Sequence, residues 1–462
     1  MKVFLVVLFI FSTSLRLFSE NAEELTLEEC IRAALSSNRD IQLTELTLKK
    51  AAERYREVKA ENGFSLTANG DYIHTGTIHD SREEAQKLQT DSTTSAGTAR
   101  GGLELSGPST RISLSGSHSI RKDDEFAHSS SLTLSANQTL WDGYPGGKAS
   151  ASVKQAEITY KKEELTAEAG RQSVLYSVKR AFYTMLSAQN DLKLKEEILK
   201  QREKEYERVN TLYEAGKESG VTLKQAKVNL LSAEIDMEES RSALSIARKN
   251  LSALTGLSPS MEYRVREEKE ISVPELELKK LMETASLRRT DLRQLYLEIE
   301  SLKISERLSK SKASPVISIS GEVGYSRDWD LETDYSSWSA GINASIPILD
   351  WGDRKAELEQ IETQKKINSI RIEKLNTEIA LEIEENVNTV KTLLSKLELS
   401  QARMSLAEDE YTLVETQYNE NLASTMDLLE ASVKLSTAQA EVQNVKSQLN
   451  LAILELEKSA GL

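Results

Sequence analysis

The chain has 462 residues, room for two or three ordinary domains or for one large elongated architecture. It is 29% charged, 39% hydrophobic and 5% aromatic, and 59 Lys+Arg against 73 Asp+Glu give a net charge of −14. That balance argues against a nucleic-acid binder, which needs a basic face for phosphates. The single cysteine, Cys30, excludes an intrachain disulfide and a cysteine-based zinc site.

Residues 1–19 have the form of a secretory signal, with Lys2 as the charged start, 3–11 as the apolar core and Ser-rich sequence after it. Cleavage is expected after Ser19 or Ala22. The apolar core is too short to cross a bilayer as a helix, and no other run approaches the ~20 residues that a transmembrane helix needs. The sequence predicts an exported chain that enters a membrane, if at all, without helices.

Residues 20–62 read as short helices, and from 63 to 147 the pattern changes to period two. Phe64, Leu66, Ala68 and Tyr72 alternate with Ser65, Thr67, Asn69 and Asp71, and Leu132, Leu134 and Ala136 continue the theme. Segments 102–107 and 111–120 flank a Gly107-Pro108-Ser109-Thr110 turn and read as a further hairpin. Polar loops are expected at 77–98, 121–128 and 328–334.

Two tracts, 148–255 and 353–460, hold no proline and almost no glycine, while fifteen of the twenty glycines fall in 63–147 and 321–352. Rich in Ala, Leu, Glu, Lys and Gln, both tracts read as helix. Each is broken once, at 213–220 and at 418–425, where Gly216 and Asn421 are expected to supply left-handed caps. Thr222 with Gln225, and Ser424 with Asp427, then read as capping boxes that restart a helix. Each tract is thus a hairpin whose first arm, about 65 residues, runs roughly 100 Å. Between the tracts come a connector at 256–273, helices at 274–314 and strands at 315–352. In the strand tract Ile317, Ile319, Val323 and Tyr325, and then Trp338, Ala340, Ile342 and Ala344, repeat the alternation.

One apolar and one polar face over about ten residues is the signature of a transmembrane barrel strand. All four tryptophans (Trp141, Trp329, Trp338 and Trp351) fall at or beside these segments, where interfacial girdles sit. The two halves also repeat: the offset between matching residues falls from 251 (Leu27 to Leu278) to 208 (Asp142 to Asp350), so the first half carries about forty extra residues among its strands. Four to six strands per chain cannot close a barrel, because the smallest membrane barrels have about eight. Open edges in lipid leave peptide groups unpaired, so several chains must share one barrel.

With these features in place, the chain resembles the TolC-like outer-membrane efflux (outer-membrane factor) family over its mature length. The resemblance is carried by Leu25-Thr-Leu-Glu-Glu with Asn38-Arg-Asp, by Gln138-Thr-Leu-Trp-Asp-Gly143 and Pro347-Ile-Leu-Asp-Trp-Gly352 at the strand-to-helix crossings, and by Tyr213-x-x-Gly216 and Tyr418…Met426-Asp427-Leu-Leu-Glu430-Ala431 at the hairpin ends. It implies a mixed membrane β-barrel and long α-helical barrel, internally duplicated and homotrimeric, with a periplasmic tunnel. It implies an outer-membrane location in a Gram-negative-type envelope, among outer-membrane lipid, and partnership with a periplasmic adaptor (membrane fusion) protein and an inner-membrane pump. The family pattern favours four strands per chain; the extra segments leave six open.

Carried over residue by residue, the resemblance implies that Asp427 and Glu430 form the entrance constriction and that Tyr418 helps to close it. Ala423 stands where the family often has arginine and Thr222 where an aspartate can sit, so the family's own lock is not reproduced. The tips, with Tyr213, Gly216, Gly220, Asn421 and Thr425, are the expected adaptor-docking surface.

No catalytic constellation is present, and no cofactor or metal is expected. His74, His79, His118 and His128 lie in strand or loop sequence without ligand-spaced carboxylates. The stretch Gly143…Lys148 is one residue short of a phosphate loop, and Cys30 reads as packed. An exported structural coiled-coil protein is the alternative. It accounts for the rods but not for the alternating segments or the duplication. A periplasmic adaptor and a secreted enzyme fit less well still, for want of lipoyl-like half motifs and of any site.

Overall fold

The computed structural model describes residues 23–79, 92–122, 126–258, 262–266, 276–420 and 422–462, so the expected signal at 1–19, part of the connector, and Asn421 lie outside the described residues. In chain order the first half holds β1 (Glu23–Leu25), α1 (Leu27–Ser37), α2 (Arg39–Glu61), β2 (Ser65–His79), β3 (Ser92–Ser106), β4 (Thr110–Lys122), β5 (Phe126–Trp141), α3 (Lys148–Glu214) and α4 (Gly220–Thr255). The second half holds β6 (Tyr263–Val265), α5 (Leu278–Arg288), α6 (Thr290–Ser311), β7 (Val316–Asp328), β8 (Thr333–Ser345), α7 (Asp353–Asn419) and α8 (Thr425–Ala460). The duplication is metric as well as sequential. α3 and α7 each have 67 residues, α4 and α8 each have 36, and α1 and α5 each have 11.

The chain divides into two compact units, one formed by the residues up to Thr44 with Glu168–Arg289 and Asn376–Leu462, the other by Glu45–Ala167 with Thr290–Leu375. In the first unit a capping box starts α1: Thr26 N–H donates to Glu29 Oε2 at 3.0 Å, and Glu29 N–H donates to Thr26 Oγ1 at 3.3 Å. Those hydrogen bonds hold the Glu29 carboxyl below its ordinary pKa. Asn38 accounts for its own place in the motif. Its Oδ1 accepts Asp40 N–H at 2.8 Å to start α2, and its Nδ2 donates to Leu254 O at 2.8 Å near the end of α4. The apolar core beneath joins Cys30, Ala34, Val178, Phe182, Met185 and Leu251. Burial pushes the Cys30 thiol up to about 11, which fits a packed rather than a reactive side chain.

In the second unit, six strands form one antiparallel sheet in the order β2-β3-β4-β5-β7-β8. The register carries the alternation across every strand. One row runs Ala68–Leu103–Leu114–Leu134–Val323–Trp338, and the next row on the same face runs Leu66–Leu105–Ile112–Ala136–Gly321–Ala340. The opposite face reads Thr67–Glu104–Ser113–Ser135–Glu322–Ser339. The apolar row is uncovered by protein in the single chain: Leu66, Leu134, Val323 and Trp338 are all exposed, the last at 81%.

The expected loop bounds are corrected here. The strands reach further than the period-two apolar signal, taking His79, Ser92, Lys122 and Phe126 out of the expected loops. The backbone pairing continues there after the apolar alternation fades. Of the two strand counts left open, the structure takes six. Trp338 stands in one row with Leu134, Trp141 ends β5, Trp351 precedes α7 and Trp329 follows β7.

Both crossings from strand to long helix turn on an aspartate. Asp142 accepts Tyr144 N–H at 3.0 Å and the Lys148 N–H that opens α3, and Asp350 accepts Gly352 N–H at 3.1 Å. The glycines that mimic a phosphate loop supply left-handed backbone instead: φ is +89° at Gly143, +81° at Gly146 and +83° at Gly147. A Cβ on Gly143 would lie 2.5 Å from the Ser311 carbonyl, while one on Gly352 (φ +91°) would meet nothing within 4 Å. Gly143→Ala and Gly352→Ala each force left-handed backbone on alanine, at about 1–2 kcal/mol, and only the first adds a clash. Thermal unfolding of the two variants should show a lower midpoint for both and the larger drop for Gly143→Ala; equal drops would contradict the crowding at Ser311.

Candidate functional site

The two hairpin tips, both in the first unit, gather most of the residues singled out above. α3 ends because Gly216 adopts φ +69°, letting Gly216 N–H donate to Tyr213 O at 2.9 Å and Lys217 N–H to Leu212 O at 2.8 Å. Tyr213 lies over Gly220, its ring 3.6 Å from where a Cβ would stand. The restart differs from expectation. Ser219, not Thr222, is the N-cap of α4, accepting Thr222 N–H at 3.1 Å, and no box with Gln225 forms. Immediately after the Gly216 turn a serine is already in place to cap, so the helix resumes three residues earlier and Thr222 is buried in its first turn.

The second tip follows the expected box. Ser424 N–H donates to Asp427 Oδ2 at 2.8 Å, Ser424 Oγ donates to the same oxygen at 2.7 Å, and Asp427 N–H donates to Ser424 Oγ at 3.2 Å. These bonds hold the Asp427 carboxyl below its ordinary pKa. Asp427 and Glu430 share the exposed face of α8, three residues apart, while Leu428, Leu429, Ala431 and Ser432 face inward. Glu430 is paired with Lys434 at 3.4 Å on the same face.

The tips are joined. Thr425 Oγ1 donates to Glu218 on the first tip, and Val209, Ala226 and Leu429 form a small apolar cluster with Tyr206 and Leu223. The Arg208 guanidinium lies 3.9 Å from the centroid of the Tyr418 ring. Tyr418 thus has a cationic partner from α3, although the family's arginine position is Ala423. Nearly two turns further from the tip, Arg202 is only 5% exposed and bridges α3 to α8. It donates to Glu205 and Ser432, each at 2.7 Å, and to Ser436 at 3.2 Å, and Ser432 Oγ donates to Glu205 at 2.6 Å.

Sequence reasoning missed Arg208, Arg202, Glu205 and Glu218. The available signal was Arg202-x-x-Glu205 facing a Ser432-x-x-x-Ser436 stripe, the spacing of charge-bearing and small hydroxyl residues on single helix faces. Which two faces meet is not written in either helix. Elsewhere, His74, His118 and His128 lie on strands, and the described residues hold no group of three or more His, Cys, Asp or Glu suited to a metal ion.

A family model described as outer membrane efflux protein matches residues 30–257 and 281–462, one stretch for each repeat. The probable efflux pump outer membrane protein TtgC of Pseudomonas putida is 23% identical over 442 residues, covering 92% of this chain and 81% of that protein. Among solved structures, the outer membrane protein VceC of Vibrio cholerae is similar with a TM-score of 0.67 at 19% identity, over 94% of this chain and 96% of that one. The CmeC outer membrane channel of Campylobacter jejuni is similar with a TM-score of 0.64 at 18% identity, over 94% of this chain and 85% of that one. At such identities the structural likeness is one of fold.

Two outcomes test the tip. Removing one partner of a buried pair strands the other charge, at about 3–5 kcal/mol, whereas replacing both by apolar groups is close to neutral. In chemical unfolding, Arg202→Ala should therefore be more destabilising than the double replacement Arg202→Met with Glu205→Leu. For Asp427, a depressed folded-state pKa means its stabilisation is present above the ordinary carboxylate range and lost as pH falls through the lowered value. Amide protection factors (exchange corrected for the intrinsic pH dependence) in the first turn of α8 should be unchanged from pH 7 to 5 and fall only under stronger acid, and Asp427→Asn should remove that acid step.

Proposed function

The chain belongs to the outer membrane efflux protein family, and from that premise we propose that it is the exit duct of a tripartite efflux or type I secretion assembly, taking cargo from an inner-membrane pump through a periplasmic adaptor. Its place is the outer membrane. The observation that carries the reading is the six-residue row from Ala68 to Trp338, an apolar face spanning the whole sheet, with the outer edges of β2 and β8 without a strand partner among the described residues. Lipid supplies the cover that the apolar face needs, and neighbouring copies supply the pairing that the edges need.

On this reading three copies share one barrel, β2 of each pairing with β8 of the next, and the long helices line a periplasmic tunnel. The exposed acidic face of α8 supports an entrance ring. Three copies of Asp427 and Glu430 gather around a narrow mouth and favour cations, with Asp427 capping its helix at the same time and Lys434 moderating Glu430. The Arg208–Tyr418 stack supports a closing role for Tyr418, and the tips at 213–220 and 418–425 are the surface offered to the adaptor. Transport is driven by the partner pump. The exported coiled-coil alternative loses its ground, because the family match takes in the strands as well as the rods.

The signal-cleaved protein in a planar bilayer should give a discrete cation-selective conductance, and Asp427→Ala with Glu430→Ala should reduce that selectivity. A selective channel unchanged by the pair would remove the acidic ring and leave the duct. A water-soluble chain that never enters the bilayer would remove the duct.

A further inference from the structure

The two repeats contribute unequally to the sheet: the second supplies β7 and β8, the first supplies β2 to β5. The additional hairpin, β3 and β4, is what breaks the otherwise matched lengths of the duplication. Its strands are full members of the wall. β3 has 15 residues and β4 has 13, against 13 to 16 for the others. They pair without a register break over Ser65–Ser106 to His79–Ser92 on one side and over Thr110–Gln138 to Lys122–Phe126 on the other. Leu103 and Leu114 continue the apolar row, and Glu104 and Ser113 continue the polar one. A plug or a flap would not need to keep the same inside and outside as its neighbours; a wall strand must.

The polar face of this wall is built from small hydroxyl side chains. Ser113 and Ser135 meet at 2.7 Å, Ser117 and Ser131 at 2.8 Å, and Ser119 and Ser129 at 2.6 Å, each pair bridging β4 to β5. Of the charges that the hairpin places there, Arg111 pairs with Glu104 at 3.0 Å and Arg100 with Asp71 at 4.0 Å, and Arg121 stands on the same face nearer the far end. Charges of both signs are interleaved in these rows, Glu322 of β7 adding a carboxylate to the three arginines and to Glu104.

We infer that the exit barrel is eighteen-stranded, six strands from each of three copies, and that it is a wide, neutral, water-filled bore suited to bulky hydrated cargo. The inference rests on the trimeric duct reading. Barrel diameter grows with strand number: at about 4.8 Å between strands and about 40° of tilt, eighteen strands give roughly 35 Å between opposite backbones, against roughly 24 Å for twelve. With short side chains lining it, the clear bore is about 20–25 Å rather than about 12 Å. Such a bore exerts no selection by size or charge on small solutes, so the choice of cargo lies at the periplasmic entrance and in the pump. What the extra hairpin adds is room for a hydrated solute about 20 Å across.

The test does not need an open entrance. Ser113 lies on the polar face three residues from the inner end of β4, and Leu114 beside it lies on the apolar face. Cells displaying Ser113→Cys or Leu114→Cys are treated from outside with maleimide–polyethylene glycol reagents of graded hydrodynamic diameter, Cys30 being buried and slow to react. Ser113→Cys should react with reagents up to about 20 Å within a few-fold of the rate of a small maleimide, and Leu114→Cys should resist them all. In parallel, electron cryo-microscopy of the purified protein should show eighteen strands in the wall. A cut-off near 12 Å, or twelve wall strands with β3 and β4 folded away, overturns the wide bore and leaves the duct. Labelling of Leu114→Cys in place of Ser113→Cys, or a chain purified as a soluble monomer, overturns the duct reading and the bore with it.

Discussion

The peptide groups along the free edges of β2 and β8 govern this architecture. Every interior strand has both its neighbours, and the two outer strands have one each among the described residues. In water such edges are a liability managed by charge or proline; against hydrocarbon they are untenable, because each unpaired N–H or C=O costs several kcal/mol. Neither β2 nor β8 carries a proline, and both are long. An unblunted edge beside an apolar face is complete only when another copy pairs with it, and a closed ring of copies then turns the polar face into a lumen. On the proposed duct reading, membrane insertion, oligomerisation and a water-filled passage all answer that one requirement.

The helices answer a different constraint. Rods of 67 residues cannot be stabilised by propensity and exposed ion pairs alone. Their buried residues are accordingly thin stripes, as in Ile379, Ile383, Val387 and Val390 of α7. Polar bonds add registration to these stripes. Within the second unit, Lys365 and Lys310 both bond Glu306 and draw its carboxyl down to about 2. Lys312 and Ser309 do the same, less strongly, for Glu357. Such contacts fix which turn of one helix lies beside which turn of the next, a choice that a repeating apolar stripe leaves degenerate.

Much of this was legible in sequence because it is periodic or punctuated. Period two gave the apolar row, breaker-free tracts gave the rods, and Gly216 and the Ser424–Asp427 box gave the hairpin ends. What escaped is instructive. Thr222 looked like a cap because a glutamine stands three residues on, yet Ser219 is nearer the turn and takes the role. The loop expected at 77–98 was read from polarity, but a Ser/Thr segment pairs as well as an apolar one when its neighbour is in register. Arg208 on Tyr418 and Arg202 on Ser432 join residues more than two hundred positions apart. Each helix alone shows only an arginine on a helix face.

The tip contacts fall into two strengths, and their arrangement matters. The Arg202–Glu205–Ser432 group is dry, and a dry polar network loses its members only together or at high cost. The Arg208–Tyr418 stack and the Thr425–Glu218 bond stand nearer the ends, and Arg208 is exposed, so the stack is worth about 0.5–1 kcal/mol. A strong clamp set about two turns behind a weak one lets the last turns of the hairpins part and rejoin while the rods stay registered. Local opening is cheapest where bonds are few and wet. On the proposed duct reading, an entrance at that place can respond to a partner that grips the tips, with no need to unpack the helices behind it.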